Sequence, residues 1–113
     1  MKLYKQYLKE RDSAELIYND YGFCTYSMNE KLIYVSEIYV VPEKRLTPCA
    51  YKLFMEAVKI GTDNGCTQIL GSYDITTRNW IRSKKLMQKL GFKFYKKENN
   101  LVFFIRDLTG LIK

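Results

Sequence analysis

The sequence predicts a single α/β domain built on a mixed sheet, and three observations carry that prediction. Two stretches, "LIYVSEIYVV" and "CTQILGSYDI", are apolar on both faces, as central strands are. Each is followed by a segment with helical apolar spacing. The ending "FKFYKKENNLVFFIRDL" alternates apolar and polar residues and turns at Asn99-Asn100, which makes it a hairpin. With 113 residues and no repeat or linker, the chain suits one domain, burying roughly 65% of its unfolded surface without disulfides or metals.

The elements follow in order. The first twenty residues are charged and weakly periodic, with helical character around Leu3–Glu10 and Ser13–Asn19. "YGFCTYSM" is rich in aromatic and β-branched residues and reads as a strand; "NEK" turns it into "LIYVSEIYVV". Pro42 ends that strand because it has no N–H for a ladder. Thr47 then caps a helix, with Pro48 at the first helical position, where a missing donor costs nothing. Ala50, Leu53, Phe54, Ala57, Val58 and Gly61 form one buried stripe on it, and Asn64-Gly65 closes it. After "CTQILGSYDI", a second helix runs from Asn79 to Leu90 and stops at Gly91.

Composition excludes several chemistries. The chain has no histidine, so Ser–His and Cys–His nucleophilic pairs and imidazole-held zinc are out. Cys24, Cys49 and Cys66 match no metal-ligand spacing and read as reduced thiols of a cytoplasmic protein. No apolar run of 18 residues exists, and "MKLYKQYLKERDS" lacks the apolar core of a signal peptide. The net charge of +7 is unevenly placed: eight basic residues and no acid lie between Ile75 and Lys97. Such a surface favours an anionic partner.

Four groups of residues stand out as candidates. Glu37 lies among Ile33, Val35, Tyr39 and Val41 on its strand face; a carboxylate desolvated there has its pKa raised toward the range of a general base for an amine. The alternative is an acid at a wet edge. Asp74 is a weaker candidate, since acids before helices are commonly caps. Cys49, in the first turn of its helix, sits where a dipole lowers a thiol pKa, but a structural role fits it better. Arg78, Arg82, Lys85 and Lys89 share one helix face, opposite Trp80, Ser83, Met87 and Leu90. That basic face is either a solvated surface or a contact for CoA phosphates, nucleic acid or an acidic protein.

"YVSEIYVVPEKR", the helix ending "NGCTQI", and "NWIRSKKLMQKLGFKFY" together resemble the GNAT (GCN5-related N-acetyltransferase) superfamily, over Gly22 to Leu108. Residues 1–21 are a divergent N-terminal region, and with the "FIRDL" ending the chain looks most like the small GNAT-like proteins of tailed bacteriophages. The resemblance implies acetyl-CoA as the cofactor and a primary amine, on a small molecule or a protein, as acceptor. It implies that N–H groups of Leu46, Thr47, Cys49 and Ala50 hold the pyrophosphate, with Arg45 adding charge. It further implies that backbone groups of Val40 and Val41 align the pantetheine arm, and that Asn79 stands for the asparagine opening the later helix. Two positions depart from the pattern. Pro48 stands where the family's loop has its middle glycine, and Met87 stands where members often carry a tyrosine acting as general acid. The expectation is therefore an acetyltransferase with a degenerate cofactor loop, acting through Glu37. The alternatives are a GNAT fold without catalysis, used as a binding or structural module of a phage, and a nucleic-acid binder on an unrelated α/β fold.

Overall fold

The structure is a computed structural model and describes residues 2–12, 14–45 and 47–111. Helix α1 (Lys2–Asp12) leads into strands β1 (Glu15–Asn19), β2 (Gly22–Asn29) and β3 (Leu32–Val40). A 3₁₀ turn, Pro42–Lys44, precedes helix α2 (Cys49–Asp63) and strand β4 (Gln68–Asp74). Helix α3 (Trp80–Lys89) and the hairpin strands β5 (Lys93–Glu98) and β6 (Leu101–Asp107) complete the order. The six strands form one sheet, β1-β2-β3-β4-β6-β5. Every neighbouring pair is antiparallel except β3 and β4, which are parallel and joined by the α2 crossover. The α/β class and the mixed sheet agree with the sequence reading.

Two local expectations are corrected. Ser13–Asn19 reads as helical in the sequence, but Glu15–Asn19 is strand β1, paired with β2 from Glu15–Tyr26 to Asn19–Gly22. The physical reason is that Leu16 and Ile17 serve opposite sheet faces: Leu16 packs in a small cluster with Ala14, Tyr4 and Phe23, and Ile17 packs on the main core. The second correction concerns α2, which begins one residue later than expected. Pro48 is its N-cap, with φ −70° and ψ 7°, and its carbonyl accepts the first helical bond from Lys52 at 2.9 Å.

Helices α2 and α3 cover the same face of the sheet. Gly61 of α2 lies against Ile33, while Gly71 of β4 faces Met87 of α3; Ile33 pairs with Ile69, two residues from Gly71. Helix α1 packs on the other face, where Tyr4 meets the edge of Phe23 at 5.8 Å. The predicted stripe of α2 is buried at Leu53, Phe54, Ala57, Val58 and Gly61, with Ala50 half-buried at its start. At the far ends, Gly65 and Gly91 take φ of +81° and +86°, which lets each helix stop in the left-handed turn that the sequence marks.

Cys24 is fully buried in this core, and burial, helped by the charge of Glu56, pushes its thiol up to about 12 from an ordinary 9.0. Well below pH 9 the thiol is protonated whether the chain is folded or not. As pH rises through 9, the unfolded chain sheds a proton that the fold retains, so stability falls as pH rises toward 12. The expected slope from this thiol is up to about 1.4 kcal/mol per pH unit. Urea denaturation at pH 8 to 11 checks it: Cys24→Ala should flatten the decline, though only partly, because burial also raises Tyr26 and Tyr73.

Candidate active site

The parallel pairing of β3 and β4 covers only Leu32–Val35 against Gln68–Gly71. Beyond Val35 and Gly71 both strands continue, to Val40 and Asp74, paired with β2 and β6 but no longer with each other. A cavity of about 180 Å³ lies where they part, roofed by α2 and α3. Its walls come from Val35–Ile38 of β3, Ile69–Ser72 of β4, Ala50 and Phe54 of α2, and Met87 and Leu90 of α3.

A β-bulge sets the geometry of β3 at this point. Thr25 pairs with Glu37 and Tyr26 with Val35, so Ser36 is the extra residue. Its hydroxyl is held 2.7 Å from the Thr25 hydroxyl. The extra residue reverses the alternation: Ile33 and Val35 are buried before the bulge, and Val40 is buried after it, with Glu37 turned out. The desolvation expected for Glu37 is thus absent. Its carboxylate is exposed, and the residue lines the cavity.

After the bulge, the ladder to β2 fixes where backbone groups point. The Val41 N–H donates to the Tyr21 carbonyl at 2.8 Å, and the Val41 carbonyl accepts from Lys44 at 3.0 Å. Alternation along an antiparallel pair then turns the groups of Ile38 and Val40 toward the side that β4 has left. Val40 confirms the direction, since its carbonyl accepts from the Arg45 guanidinium at 2.9 Å. Arg45 is exposed and also lies 5.6 Å from the centre of the Tyr39 ring.

The α2 N-terminus opens beside this edge. Thr47 and Pro48 are exposed, and Cys49 and Ala50 half-buried. The Thr47 hydroxyl donates to the Lys44 carbonyl and accepts a long 3.4 Å bond from the Cys49 N–H. The Thr47 N–H reaches the Lys44 carbonyl at 3.4 Å. Among the described residues, the N–H groups of Ala50 and Tyr51 have no acceptor, and Leu46 lies outside those residues. These two donors, with the helix dipole behind them, are what the turn offers to an anion.

The structure brings Glu37 and Ala50 to the cavity, and places Val40 and Arg45 along the strand edge beside it. Asn79 is exposed as the N-cap of α3, and its carbonyl accepts from Ser83 at 3.2 Å. Arg78, expected on the same helix face as Arg82, Lys85 and Lys89, lies instead in the turn before α3, because the helix starts only after its N-cap Asn79; all four are exposed and do not line the cavity, whose wall on this side comes from Ser83, Leu86, Met87 and Leu90. Among the described residues, none of the four cations has an acidic partner within 4.0 Å. Asp74 is a turn acid: its carboxylate accepts from the Thr76 hydroxyl at 2.6 Å and the Thr76 N–H at 2.8 Å, and both bonds lower its pKa. Sequence reasoning missed Tyr51 and Ile38 as sources of backbone groups and missed the apolar cavity wall. Ile38 has a signal in the sequence, being two residues before Val40 on the same strand; the bulge has none.

No family model and no curated sequence matches the chain. Solved structures do. PaiA N-acetyltransferase from Thermoplasma acidophilum, solved in complex with coenzyme A, superimposes with a TM-score of 0.73 at 17% identity, covering 94% of this chain and 69% of that one. A GNAT-family acetyltransferase from Staphylococcus aureus gives 0.72 at 12% identity, covering 92% and 75%. An N-acetyltransferase from the same organism gives 0.67 at 21% identity, covering 96% and 76%. At these identities the likeness is one of architecture: this chain has the single-domain mixed-sheet α/β fold of the GNAT acetyltransferases.

Proposed function

We propose that the protein is an acyl-CoA-dependent N-acyltransferase, moving an acyl group such as acetyl to a primary amine. The observation that carries this reading is the parting of β3 and β4 beside the open N-terminus of α2, with a cavity between them. The residues present fit an acyl-CoA. The Ala50 and Tyr51 N–H groups suit a diphosphate, with weaker help from Cys49 and Thr47. The freed edge at Ile38 and Val40 suits the amides of a pantetheine arm. Arg45 then gives up the Val40 carbonyl and adds its charge at the same mouth. Pro48 withholds one donor from the turn, a loss of ~1.5–3 kcal/mol if that bond is otherwise made to a charged group.

Bound acyl-CoA supplies a thioester activated toward an amine. Glu37, at the cavity and open to solvent, takes the proton that the amine sheds and passes it to water. Met87 has no O–H, so solvent provides the proton on the sulfur side.

Calorimetry with acetyl-CoA and with CoA tests the reading. A saturable heat of binding is expected, with thermal stabilisation that grows with ligand concentration. No heat and no stabilisation at millimolar ligand would remove it. A second reading is favoured by Met87 and by the uncompensated basic face of α3: a GNAT-fold module without catalysis, of the kind tailed phages carry, that binds an acidic protein or nucleic acid. The same calorimetry separates the two, since that module has no need of CoA.

A further inference from the structure

We propose that the acyl group accepted here is longer than acetyl, an unbranched chain of about six carbons lying along the whole cavity of about 180 Å³, given that a space of roughly 150 Å³ in an apolar interior takes a benzene ring. The inference rests on the acyltransferase reading above and names its substrate class.

The polarity of the cavity changes along its length. Ser36, Glu37 and Ser72 all lie past the last β3–β4 pair, Val35 with Gly71, at the end where the strands have separated. Inward of that pair the walls are Phe54, Ile69, Leu90 and Phe92, with Met87 above Gly71. Phe54 and Phe92, both buried, meet at 5.9 Å between ring centres. A chain entering from the polar end therefore meets apolar side chains there.

The volume matches such a chain. The cavity holds about 180 Å³, and a single methyl group leaves most of that empty. An unfilled apolar space forfeits contacts on every wall, whereas each added methylene recovers some. One residue can adjust the room. Met87 packs over Gly71, its sulfur 2.9 Å from where a Cβ would stand. Met87 is unbranched and adapts to what lies beside it. The chemistry of transfer is unchanged by chain length: the amine nitrogen bonds the carbonyl carbon, the C–S bond breaks, the amine proton goes to Glu37, and the sulfur takes a proton from water.

The test is a calorimetric series on the full chain with CoA and its acetyl, butanoyl, hexanoyl and decanoyl thioesters. Beyond acetyl, affinity is expected to rise by about fourfold per methylene, to peak near hexanoyl at a stoichiometry of one, and to fall at decanoyl. Acetyl-CoA binding as tightly as hexanoyl-CoA, with CoA itself bound, overturns the inference and leaves the acyltransferase reading standing. Failure of CoA and every thioester to bind overturns both. Met87→Phe narrows the inner half and should move the peak to acetyl or butanoyl; an unmoved peak in a folded variant counts against the assignment. If that variant does not fold, the series on the natural chain decides.

Discussion

Gly22→Ala is expected to destabilise the fold by about 3 kcal/mol, at the upper end of what overpacking a filled site costs. A Cβ at Gly22 would lie 2.1 Å from the Tyr39 carbonyl oxygen and 3.0 Å from the Val40 Cα. Both are backbone atoms of β3, so no side chain can swing aside. Relief requires opening the end of the β2–β3 ladder, where the Val41 N–H meets the Tyr21 carbonyl. The same displacement moves Val40, so ligand affinity at the strand edge should fall along with stability. Urea denaturation with an unchanged slope measures the first effect. Gly65→Ala is the control, because nothing lies within 4 Å of its Cβ and only φ of +81° resists the change, worth about 1–2 kcal/mol. If Gly65→Ala proves the more damaging of the two, the steric account of Gly22 is wrong.

For the acyl transfer proposed above, Glu37→Gln is expected to lower kcat/KM by about 100-fold, the lower bound of a general base's contribution. The amide keeps the shape of the side chain and removes its proton acceptor, so acyl-CoA affinity should stay near its original value. The carboxylate is exposed, which places the effect at the small end and lets water substitute in part. The sharper readout is the pairing of a lowered rate with unchanged acyl-CoA binding. A rate matching that of the unaltered protein would mean that another group, or bulk water, takes the proton.

Much of this arrangement was legible in the residues. The two central strands follow from their apolar runs, the stripe of α2 from helical spacing over one buried face, and the hairpin at Asn99 from its turn residues. β1 was hidden because its two core residues, Leu16 and Ile17, are adjacent and face opposite ways, which gives no alternation against a charged background. The orientation of Glu37 was hidden for a different reason. A bulge is a property of a strand and its partner together, and nothing in "YVSEIYV" says that Ser36 will go unpaired. The basic helix face was visible, but its distance from the cavity depends on how α3 lies on β4, which no linear spacing specifies.

The parting of β3 and β4 gives this sheet a border in its middle as well as at its ends. Exposed borders invite a strand from another molecule. The inner one is sheltered, since α2 and α3 close over it and an intruding sheet would have to lift them. The outer one at β5 has all six residues exposed, Phe94 and Tyr95 among them. Lys93, Lys96 and Lys97 sit along that strand and repel a like neighbour. Two features thus oppose strand addition, a roof over the inner border and charge along the β5 rim.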